Sequence, residues 1–520
     1  MTIRQMLLAG AAGAALLASF LQAQAQNGAE LPYTARAFDP AHADLPRSAG
    51  IPARLANEEY VEALARIVYY WGYPAVDMFG RTSMWEMMKD GPGLMFGVGP
   101  GAPVNESGCI ADYLPPAQRI VVTPNNDTFY GASFVDLGLE PVVIQTPADV
   151  PEGHYWVMQI TDVFTNVART LGSAWGTPGG KFLLVGPDWQ GETPAGFAEV
   201  IRMSTHYGGV FPRSFAARTD EARARAIAVQ NQMGIYPLSQ NEEGRKVFDC
   251  KAYTQNRVFP PGATPEMIAA DPDVARPQWV VPERFWDDLA KMLEVNPTIA
   301  GLDAAMAEQA RTLIALRSSN PAWKALLDRA ALDADVALHA SAKYEQVGVD
   351  AGNGWQRQEN AGLWGADWFG RAQQAVIYIL TNDYHEAVYL IRGTDADGAL
   401  LNSRHAYTMT FPKDTLPPVD KARGGFWSLT MYDRDYFMLP EPAYGRTNIG
   451  TVSLDADELE FAGDGSLTLT MSRQEPADPI AKANWLPTPE GQFALIVRAY
   501  VPGKAILDGG YRFPNVEREK

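Results

Sequence analysis

The sequence is poor in cysteine and histidine: its 520 residues include two cysteines, Cys109 and Cys250, and six histidines. Two cysteines cannot form the disulfide framework of small secreted domains, and a sequence gives no distance to decide whether they pair with each other. The zinc-binding patterns H-E-x-x-H and C-x-x-C are also absent. The sequence therefore predicts no zinc site, whereas a divalent cation held by oxygen ligands stays open.

Motifs for nucleotides and for nucleophilic catalysis are missing as well. The run GVGPGA at 97–102 satisfies G-x-G-x-x-A in form, but Pro100 and Pro103 occupy positions where a helix should begin. In the loop at 172–182, Phe182 stands where a phosphate-binding loop needs Ser or Thr. G-x-S-x-G does not occur, although a Ser–His–acid triad from distant segments stays open. We expect no nucleotide cofactor.

Positive charge is in deficit, with 43 Lys and Arg against 61 Asp and Glu and a net charge of −18. A negative field repels phosphate backbones and anionic lipid surfaces. The composition therefore disfavours nucleic acid and membrane partners and leaves a small-molecule or oligomeric polar ligand as the expected partner. A homo-oligomer stays open.

A single long apolar run occurs, near the N-terminus. Arg4 precedes it, the run covers 6–21, and Ala23-Gln24-Ala25 forms a small-x-small cleavage site. The run is short and rich in alanine for crossing about 30 Å of hydrocarbon. We therefore expect residues 1–25 to be a signal peptide, and the mature protein to be soluble and periplasmic or secreted.

The remaining pattern predicts an α+β, mainly β fold. Helical periodicity over 57–88 is interrupted at Gly72 and Pro74, which predicts a helical N-terminal hairpin. Short strand-like runs separated by Pro and Gly follow from 118 to about 210, the first at 119–123. Helical segments come next, and then strands again, the last at 493–500. We expect two β-sandwich or jelly-roll-like domains around a helical insert. The predicted divisions are an extended arm at 26–55, an N-terminal β-rich domain with leading helices at 56–257, an insert at 258–383 and a C-terminal domain at 384–520.

Two groups of motifs resemble known families. The run VVTPNNDTFYGASFVDL followed by GHYWVMQITDVFTNVARTLG resembles the bacterial domain of unknown function 1254. The runs GGFWSLTMYDRDYF, DGSLTLTMS and NWLPTPEGQFALIVRAYVP resemble the domain of unknown function 1214. The resemblance implies two β-rich domains in this order on one exported chain, the second jelly-roll-like, and it transfers no catalytic residue. The chain departs from the family pattern where Thr447, rather than an aromatic residue, follows Arg446.

The first candidate site is the polar run Asn125-Asn126-Asp127-Thr128 with Tyr130 after it. Asn and Asp bond their own main chain in turns, so a simple strand connection also explains the run. Three hydrogen-bonding side chains exceed what a two-residue turn needs. We therefore expect Asn125, Asn126 and Tyr130 to position a substrate.

The second candidate set lies in GHYWVMQITD, where Asp162 ends a strand that carries Trp156 and Gln159. If the two strands are neighbours, Asp127 and Asp162 share a cleft and act as acid and base or hold a cation. A turn aspartate is the alternative. Arg434, after a strand of the second domain, is a candidate carboxylate clamp or a surface turn residue.

These patterns lead to two functional hypotheses. The first is an exported hydrolase or lyase that acts on a small or oligomeric polar substrate in an interdomain cleft, with Asp127 and Asp162 as catalytic residues and Trp156, Gln159 and Arg434 among the substrate-binding residues. The second is a non-catalytic periplasmic or cell-envelope protein that binds a ligand or saccharide. The sequence specifies neither the substrate nor the reaction.

Overall fold

The computed structural model describes residues 57–116, 118–242, 247–260, 262–343, 347–438 and 446–519. The predicted signal peptide at 1–25 and the predicted arm at 26–55 lie outside these ranges. Within them, no helix combines the length and the hydropathy that a membrane crossing requires.

The described residues form 22 strands, most of them antiparallel to their neighbours. Strands of the N-terminal half are β1 Gly93–Met95, β2 Gly99–Gly101, β3 Gly108–Cys109, β4 Thr128–Asp136, β5 Val142–Thr146, β6 Trp156–Asp162, β7 Val167–Gly172, β8 Gly180–Val185, β9 Phe197–Arg202, β10 Tyr207–Phe215, β11 Gly234–Pro237 and β12 Arg257–Val258. Those that follow are β13 Val349–Gly352, β14 Trp355–Arg357, β15 Ala387–Arg392, β16 Tyr407–Phe411, β17 Phe426–Asp433, β18 Asn448–Gly450, β19 Leu467–Ser472, β20 Trp485–Pro487, β21 Phe493–Tyr500 and β22 Glu517–Arg518.

The longest helix precedes the strands, and three other long helices lie between β12 and β13. The α-helices are Glu58–Met84, Asp220–Gln230, Cys250–Tyr253, Pro265–Ala270, Phe285–Val295, Leu302–Ser319, Pro321–Lys343, Trp368–Ile377, Thr451–Leu454, Pro479–Ala483 and Lys504–Leu507. Short 3₁₀ turns lie at Trp85–Met88, Ser173–Trp175, Leu238–Gln240, Pro272–Ala275, Pro282–Arg284 and Lys421–Arg423.

The expected N-terminal hairpin is wrong, because Glu58–Met84 is one helix that continues through Gly72 and Pro74. Proline disfavours a helix interior, but this stretch is buried almost throughout, and packing outweighs propensity. A Cβ on Gly72 would lie 3.0 Å from the ring of Phe285. Gly72 therefore permits the close approach of another helix and does not end its own.

The N-terminal half contains a small sheet ordered β12-β1-β2 and two larger sheets ordered β3-β4-β10-β6-β7 and β11-β5-β8-β9. Apolar side chains from the two larger sheets form one core, to which β5 gives Val142 and Ile144 and β6 gives Met158 and Ile160. Their spacing of two residues follows from the alternation of side chains along a strand. Cys109 and Cys250 form a disulfide within this core. The pairing that the sequence left open is thus present.

The central strand β10 is absent from the sequence prediction, which ends the β segment near 210. Its sequence YGGVFPRSF contains Pro212, and proline is unusual in a central strand. The ladder to β4 is interrupted at Pro212, whose ring packs 3.0 Å from the position of a Cβ on Gly131. The glycine opposite therefore gives the proline room inside the sheet.

The C-terminal half also contains two sheets, ordered β13-β14-β15-β21-β17-β18 and β20-β19-β16-β22. Every residue of β21 is buried, because both faces of the six-stranded sheet are covered. One face, with Leu495 and Val497, packs in the core that also holds Met409 and Leu469 of the four-stranded sheet. The fold is thus α+β and mainly β, as predicted, and in each half two large sheets share one core.

The other face of the six-stranded sheet packs against the N-terminal half. Tyr389, Ile496 and Tyr500 lie in one apolar cluster with Tyr155 and Val157 of the first half. Strands β13 and β14, from within the predicted insert, pair with one another and with β15. The predicted domain boundaries themselves stay a prediction. The shared cluster shows that the two halves meet through side chains of their central sheets.

Candidate functional site

A pocket lies where the two halves meet. Its wall is formed by the first helix, the segments around β1 and β2, strands β4 and β10, the residues after the helix Trp368–Ile377, and strands β15 and β21. Both halves contribute aromatic rings to this wall: Trp85, Tyr130, Phe134, Phe211, Trp279, Tyr378, Tyr389 and Tyr500. Such a surface suits an apolar or aromatic molecule.

Residues 118–124 form one side of the pocket as an irregular segment. The strand predicted at 119–123 is therefore wrong. The carboxamide oxygen of Gln118 accepts hydrogen bonds from the amides of Ile120 and Val121, both 3.1 Å long, which turns the chain out of an extended course. Thr123 has φ of +43°, and its hydroxyl donates to the carbonyl of Ile377. The segment is thus held by local and long-range hydrogen bonds without a sheet.

Arg213 of β10 enters the pocket wall from the N-terminal half and is 4 % exposed. Its guanidinium donates to three neutral oxygens: Gln159 Oε1 at 3.0 Å, the carbonyl of Leu380 at 2.8 Å, and Asn382 Oδ1. Its Nε is buried and has no partner among the described residues. Arginine stays protonated in proteins, so a full positive charge lies here without a carboxylate in contact.

Arg498 of β21 enters from the C-terminal half and is 2 % exposed. Its guanidinium donates to the carbonyl of Thr123 and to the hydroxyl of Thr430. The guanidinium carbon lies 6.0 Å from the ring centre of Tyr389 and 5.5 Å from that of Tyr432, distances that allow cation–π attraction. Arg498 is therefore a second buried cation whose described partners are all neutral.

Arg81 of the first helix lies elsewhere in the wall and differs in its charge balance. Its Nε donates to the carboxylate of Asp77, one turn earlier, and both side chains are buried. Its guanidinium carbon also lies 4.5 Å from the ring centre of Trp279. Arg81 is thus compensated by an ion pair, whereas Arg213 and Arg498 are not.

The tyrosine hydroxyls at the pocket act as neutral hydrogen-bonding groups, because burial raises the pKa of Tyr500 well above its usual value and also that of Tyr378. The hydroxyl of Tyr130 accepts from the amide of Asn125 at 3.1 Å. The hydroxyl of Tyr500 accepts from the side-chain amide of Asn125 at 2.8 Å. Asn125 therefore fixes two rings of the wall without lining the pocket itself.

The lining has a distinct electrostatic character. Among its described residues there are three arginines and no Asp, Glu, Lys or His. In a chain whose net charge is −18, this local excess of positive charge opposes the overall balance. Because a desolvated charge without a counterion is costly, the pocket favours a ligand that carries negative charge.

The polar run at 125–128 proves to be mainly a turn that joins the two halves. Asn125 Oδ1 accepts from the amides of Asp127 and Thr128, both at 3.2 Å. Asn126 donates to the hydroxyl of Thr447 at 2.9 Å. Asp127 is fully buried, where it accepts from Ser428 and Asn448 of the C-terminal half. Burial raises its pKa to about 6.

The expected convergence of Asp127 and Asp162 in one cleft is wrong. The carbonyl of Asp127 accepts from the amide of Ala216, whereas Asp162 pairs with Gly208 in the sheet. Gly208 and Ala216 are eight residues apart along β10 and the residue that follows it, which is roughly 26 Å at about 3.3 Å per residue. Strands β4 and β6 both pair with β10. Asp127 precedes the start of β4 and Asp162 ends β6, so the two residues lie at opposite ends of β10.

Asp162 belongs to a buried polar network at the far end of the sheet. Its carboxylate accepts from the amides of Phe164 and Asn166, both at 2.9 Å, and from the hydroxyl of Ser204 at 2.5 Å. Burial raises its pKa, and the nearby carboxylate of Asp303 adds to that effect. This saturated arrangement is typical of a turn aspartate, the alternative that the sequence left open.

The other predicted binding residues are divided among different places. Tyr130 lines the pocket, and Gln159 supports it from behind by accepting from Arg213 and donating to the carbonyl of Thr381. Trp156 is buried in the N-terminal core. Arg434 donates to the carbonyl of Lys343 and does not line the pocket. The structure therefore brings together Tyr130 and Gln159 of the predicted set.

No metal centre emerges in the part of the chain that the structure describes, since it holds no group of three or more His, Cys, Asp or Glu side chains arranged around one point. Whether an oxygen-liganded cation binds with fewer protein ligands stays a prediction.

The residues that sequence reasoning missed are the two uncompensated arginines and their surrounding rings. A signal for them is nevertheless visible: Arg213 and Arg498 each interrupt a strand whose other residues are mainly apolar, YGGVFPRSF and FALIVRAY. A charge at the centre of a buried strand needs a local reason. Sequence alone does not show that the two strands face each other.

Of the two similar solved structures that follow, the first supports the fold. The VPA0106 protein of Vibrio parahaemolyticus matches with a TM-score of 0.54 and 23 % identity, over 88 % of this chain and 100 % of that chain. An uncharacterised protein from Burkholderia cenocepacia matches with a TM-score of 0.40 and 12 % identity, over 92 % of this chain and 91 % of its own. A comparison with curated proteins found no match.

Family models match the two halves that form the pocket. The model "Protein of unknown function (DUF1254)" covers residues 104–237, and the model "Protein of unknown function (DUF1214)" covers residues 386–504. Arg213 lies in the first segment and Arg498 in the second. The resemblance noted in the sequence is confirmed: the chain combines a DUF1254 domain with a DUF1214 domain, in that order.

Proposed function

We propose that this protein binds a small, largely apolar organic molecule in the pocket between its two halves. One observation carries the proposal: a wall of eight aromatic rings, with aliphatic residues between them, encloses space free of protein atoms. Ligand pockets are typically apolar and aromatic, with a few polar groups that fix orientation, and they occur preferentially between domains. The expected polar ligand is thereby replaced by a mainly apolar one.

Ligand binding is favoured over the hydrolase or lyase hypothesis, which stays a prediction. Nucleophilic and acid–base catalysis employ Ser, Thr, Cys, Asp, Glu, His, Lys or Tyr. Of these residue types the described lining contains only Thr and Tyr, and burial raises the pKa of Tyr378 and Tyr500 above the usual value, which disfavours an ionised tyrosine as a base. Asp127 and Asp162, the residues first expected to act together, are far apart.

A thermal-shift screen of the full chain against apolar and aromatic small molecules tests the binding proposal. At a ligand concentration 100 times Kd, binding stabilises the folded state by about 2.7 kcal/mol. The variant Ala132→Phe places a ring in the pocket wall and should reduce that stabilisation. Ala198→Phe, on the exposed side of β9, is the matched control and should leave it unchanged.

Two results would count against the proposal. If no apolar compound stabilises the protein, the pocket is not a ligand site. If a stabilising compound is consumed with turnover, when products are followed by mass spectrometry, the protein is an enzyme and the hydrolase or lyase prediction regains its place.

We further propose that the chain is exported. The disulfide between Cys109 and Cys250 supports this location, because disulfides persist mainly in oxidising compartments. The predicted cleavage after Ala25 supplies the test: protein from a cell-envelope or culture fraction should begin at Gln26 by mass spectrometry. Intact N-terminal residues on cytosolic protein would contradict export.

A further inference from the structure

The same pocket permits a statement about the chemistry of its ligand, which rests on the proposed binding function. The key feature is the pair of buried arginines, Arg213 and Arg498. One comes from the segment matched by DUF1254 and the other from the segment matched by DUF1214. Each domain therefore brings one positive charge to the interface.

The two guanidinium groups border a common set of side chains. Arg213 donates to Asn382, and both the main-chain and the side-chain nitrogen of Asn382 donate to the hydroxyl of Tyr389 at 3.1 Å. The ring of Tyr389 in turn lies 6.0 Å from the guanidinium carbon of Arg498. Both charges thus lie around one tyrosine at the same end of the pocket wall.

Neither charge is neutralised by direct contact. The described hydrogen-bond partners of both arginines are carbonyl, carboxamide and hydroxyl oxygens. Glu386 is a nearby carboxylate on the side of Arg213, but its oxygens accept from Tyr155 at 2.7 Å and from Trp175 at 2.5 Å. Asp127, on the side of Arg498, accepts from Ser428 and Asn448.

Arg213 also has donor capacity that the protein does not use. A guanidinium has five N–H groups, and Arg213 makes three described hydrogen bonds from Nη1 and Nη2. Its Nε is buried without a described partner. Nε and Nη2 form the edge of a guanidinium that binds a carboxylate through two parallel hydrogen bonds.

We propose that the ligand is an organic acid. Its carboxylate is held at the end of the pocket where Arg213 and Arg498 meet, while its apolar or aromatic body contacts the rings of the remaining wall. Because the two cations belong to different domains, the anion joins the domains electrostatically. The site is incomplete in either domain alone.

A carboxylate fits this arrangement better than a phosphate does. Three donors of Arg213 and two of Arg498 are already engaged. Because the surrounding wall is apolar, a dianion would lose more hydration than the remaining donors replace. A single negative charge with two acceptor oxygens matches Nε of Arg213, which has no described partner, and the second N–H of Nη2, whose one described bond goes to Leu380. The apolar body then replaces water from the aromatic wall.

Matched pairs of acids and neutral isosteres provide the test. The probes are decanoate with decanamide, and naphthalene-2-carboxylate with naphthalene-2-carboxamide, titrated into the full chain at pH 7.5 by calorimetry. We expect at least one acid to bind ten times or more tighter than its amide. Inorganic phosphate should compete weakly or not at all.

Three variants and one control variant test whether the preference for the acid depends on the two arginines. Arg213→Gln and Arg498→Gln should each remove most of the preference for the acid over the amide. Arg66→Gln, at an exposed ion pair with Glu62 and Asp333, is the control and should keep it. Asn382→Asp keeps both guanidiniums but places a carboxylate against Arg213, so it should weaken the acid and spare the amide even if Arg213→Gln does not fold.

The outcomes separate this inference from the proposed function. Equal affinities for acid and amide would overturn the inference and leave the binding proposal in place. Binding of neither member of either pair, together with a negative screen, would overturn both. An acid preference that survives Asn382→Asp and both arginine variants would show that the carboxylate lies elsewhere and would overturn the inference.

Discussion

Two buried arginines in different parts of the molecule show how differently one residue type is used. Arg371 is fully buried and donates to both carboxylate oxygens of Asp303, at 2.9 and 3.3 Å. Arg213 is almost as buried but donates to neutral oxygens only, among the residues described. Nε lacks a described partner in both, so the charge of the partners distinguishes them.

The difference separates a structural role from a binding role. The pair Arg371–Asp303 is completed by Trp71, whose indole N–H donates to Asp303 at 2.8 Å, and by Asn166 at 3.0 Å. That network joins the first helix, the strand end near Asp162 and two later helices. At the pocket, the positive charge of Arg213 contacts no carboxylate among the described residues. A compensated buried charge becomes costly when its partner is removed, whereas an uncompensated one is a candidate for contact with a ligand.

The largest expected effect comes from breaking the compensated pair. Arg371→Met leaves the carboxylate of Asp303 buried without its cation, so we expect the free energy of unfolding to fall by about 3–5 kcal/mol. Urea unfolding followed by circular dichroism measures it. Arg498→Met is the matched comparison and should cost less, since no carboxylate loses a contacting partner. Equal losses would remove the distinction between the two settings.

Asp127 is the anionic counterpart of Arg213, because it is buried and bonded to neutral donors. Its pKa of about 6 in the folded protein exceeds the ordinary value of 3.8, so the folded state binds more protons than the unfolded state between these values. Its contribution to stability therefore falls as pH rises from about 4 to 6.

We expect Asp127→Asn to remove this dependence. The stability of the variant relative to the natural protein should rise by up to about 3 kcal/mol over that interval. Paired urea titrations at pH 4.5, 5.5 and 7 measure the difference, in which contributions from other titrating groups cancel. A difference that is constant with pH would show that Asp127 is already ionised at pH 4.5.

A smaller effect is expected when Arg213 receives a carboxylate partner like that of Arg371. Asn382→Asp replaces the carboxamide that Arg213 contacts with a carboxylate of the same shape. Because a charge-assisted hydrogen bond is stronger than a neutral one, we expect the ligand-free protein to gain about 1 kcal/mol at pH 7. Thermal unfolding monitors it, with Asn126→Asp at the neighbouring interface as a comparison. Strong destabilisation would mean that the charge of Arg213 is already balanced.

The smallest effect is expected for charges exposed to water. Arg66 pairs with Glu62 and Asp333, and its side chain is 37 % exposed. Arg66→Ala should lower the free energy of unfolding by less than about 1 kcal/mol, because solvent screens the pair. A loss as large as that of Arg371→Met in the same urea titration would show that burial does not control these contributions.

The sequence predicts strands and helices where one face of the element is buried and the other is exposed, or where the element is uniformly apolar. β21 was predicted at Phe493–Tyr500 and lies there. β10 was missed because its glycines and Pro212 disfavour a strand, and the glycine that accommodates the proline lies some 80 residues earlier. The first helix was divided at Gly72 and Pro74 because contacts from distant helices are invisible in the local pattern.

The candidate site was predicted in part. Tyr130 lies in the pocket and Gln159 behind it. The prediction of a substrate-binding and catalytic role for Asn125, Asn126 and Asp127 is uncertain from sequence because hydrogen-bonding residues in a turn have the same pattern whether they meet solvent or another domain. The pairing of Asp127 with Asp162 depends on their strands being neighbours, whereas β10 lies between β4 and β6. The missing information was direction: β4 and β6 both run antiparallel to β10, so the start of one strand and the end of the other lie at opposite ends of the sheet.

The sequence by itself determined the classes of local structure, the family of each half and the absence of zinc and nucleotide motifs, because periodicity, turn residues and motif spacing are properties of neighbouring positions. Tertiary structure alone decided that Cys109 meets Cys250 and that the carboxylates at 127 and 162 stay apart. It also decided that two arginines almost 300 residues apart border one tyrosine. Such proximity depends on how the sheets pack, and packing depends on contacts between residues that are distant along the chain.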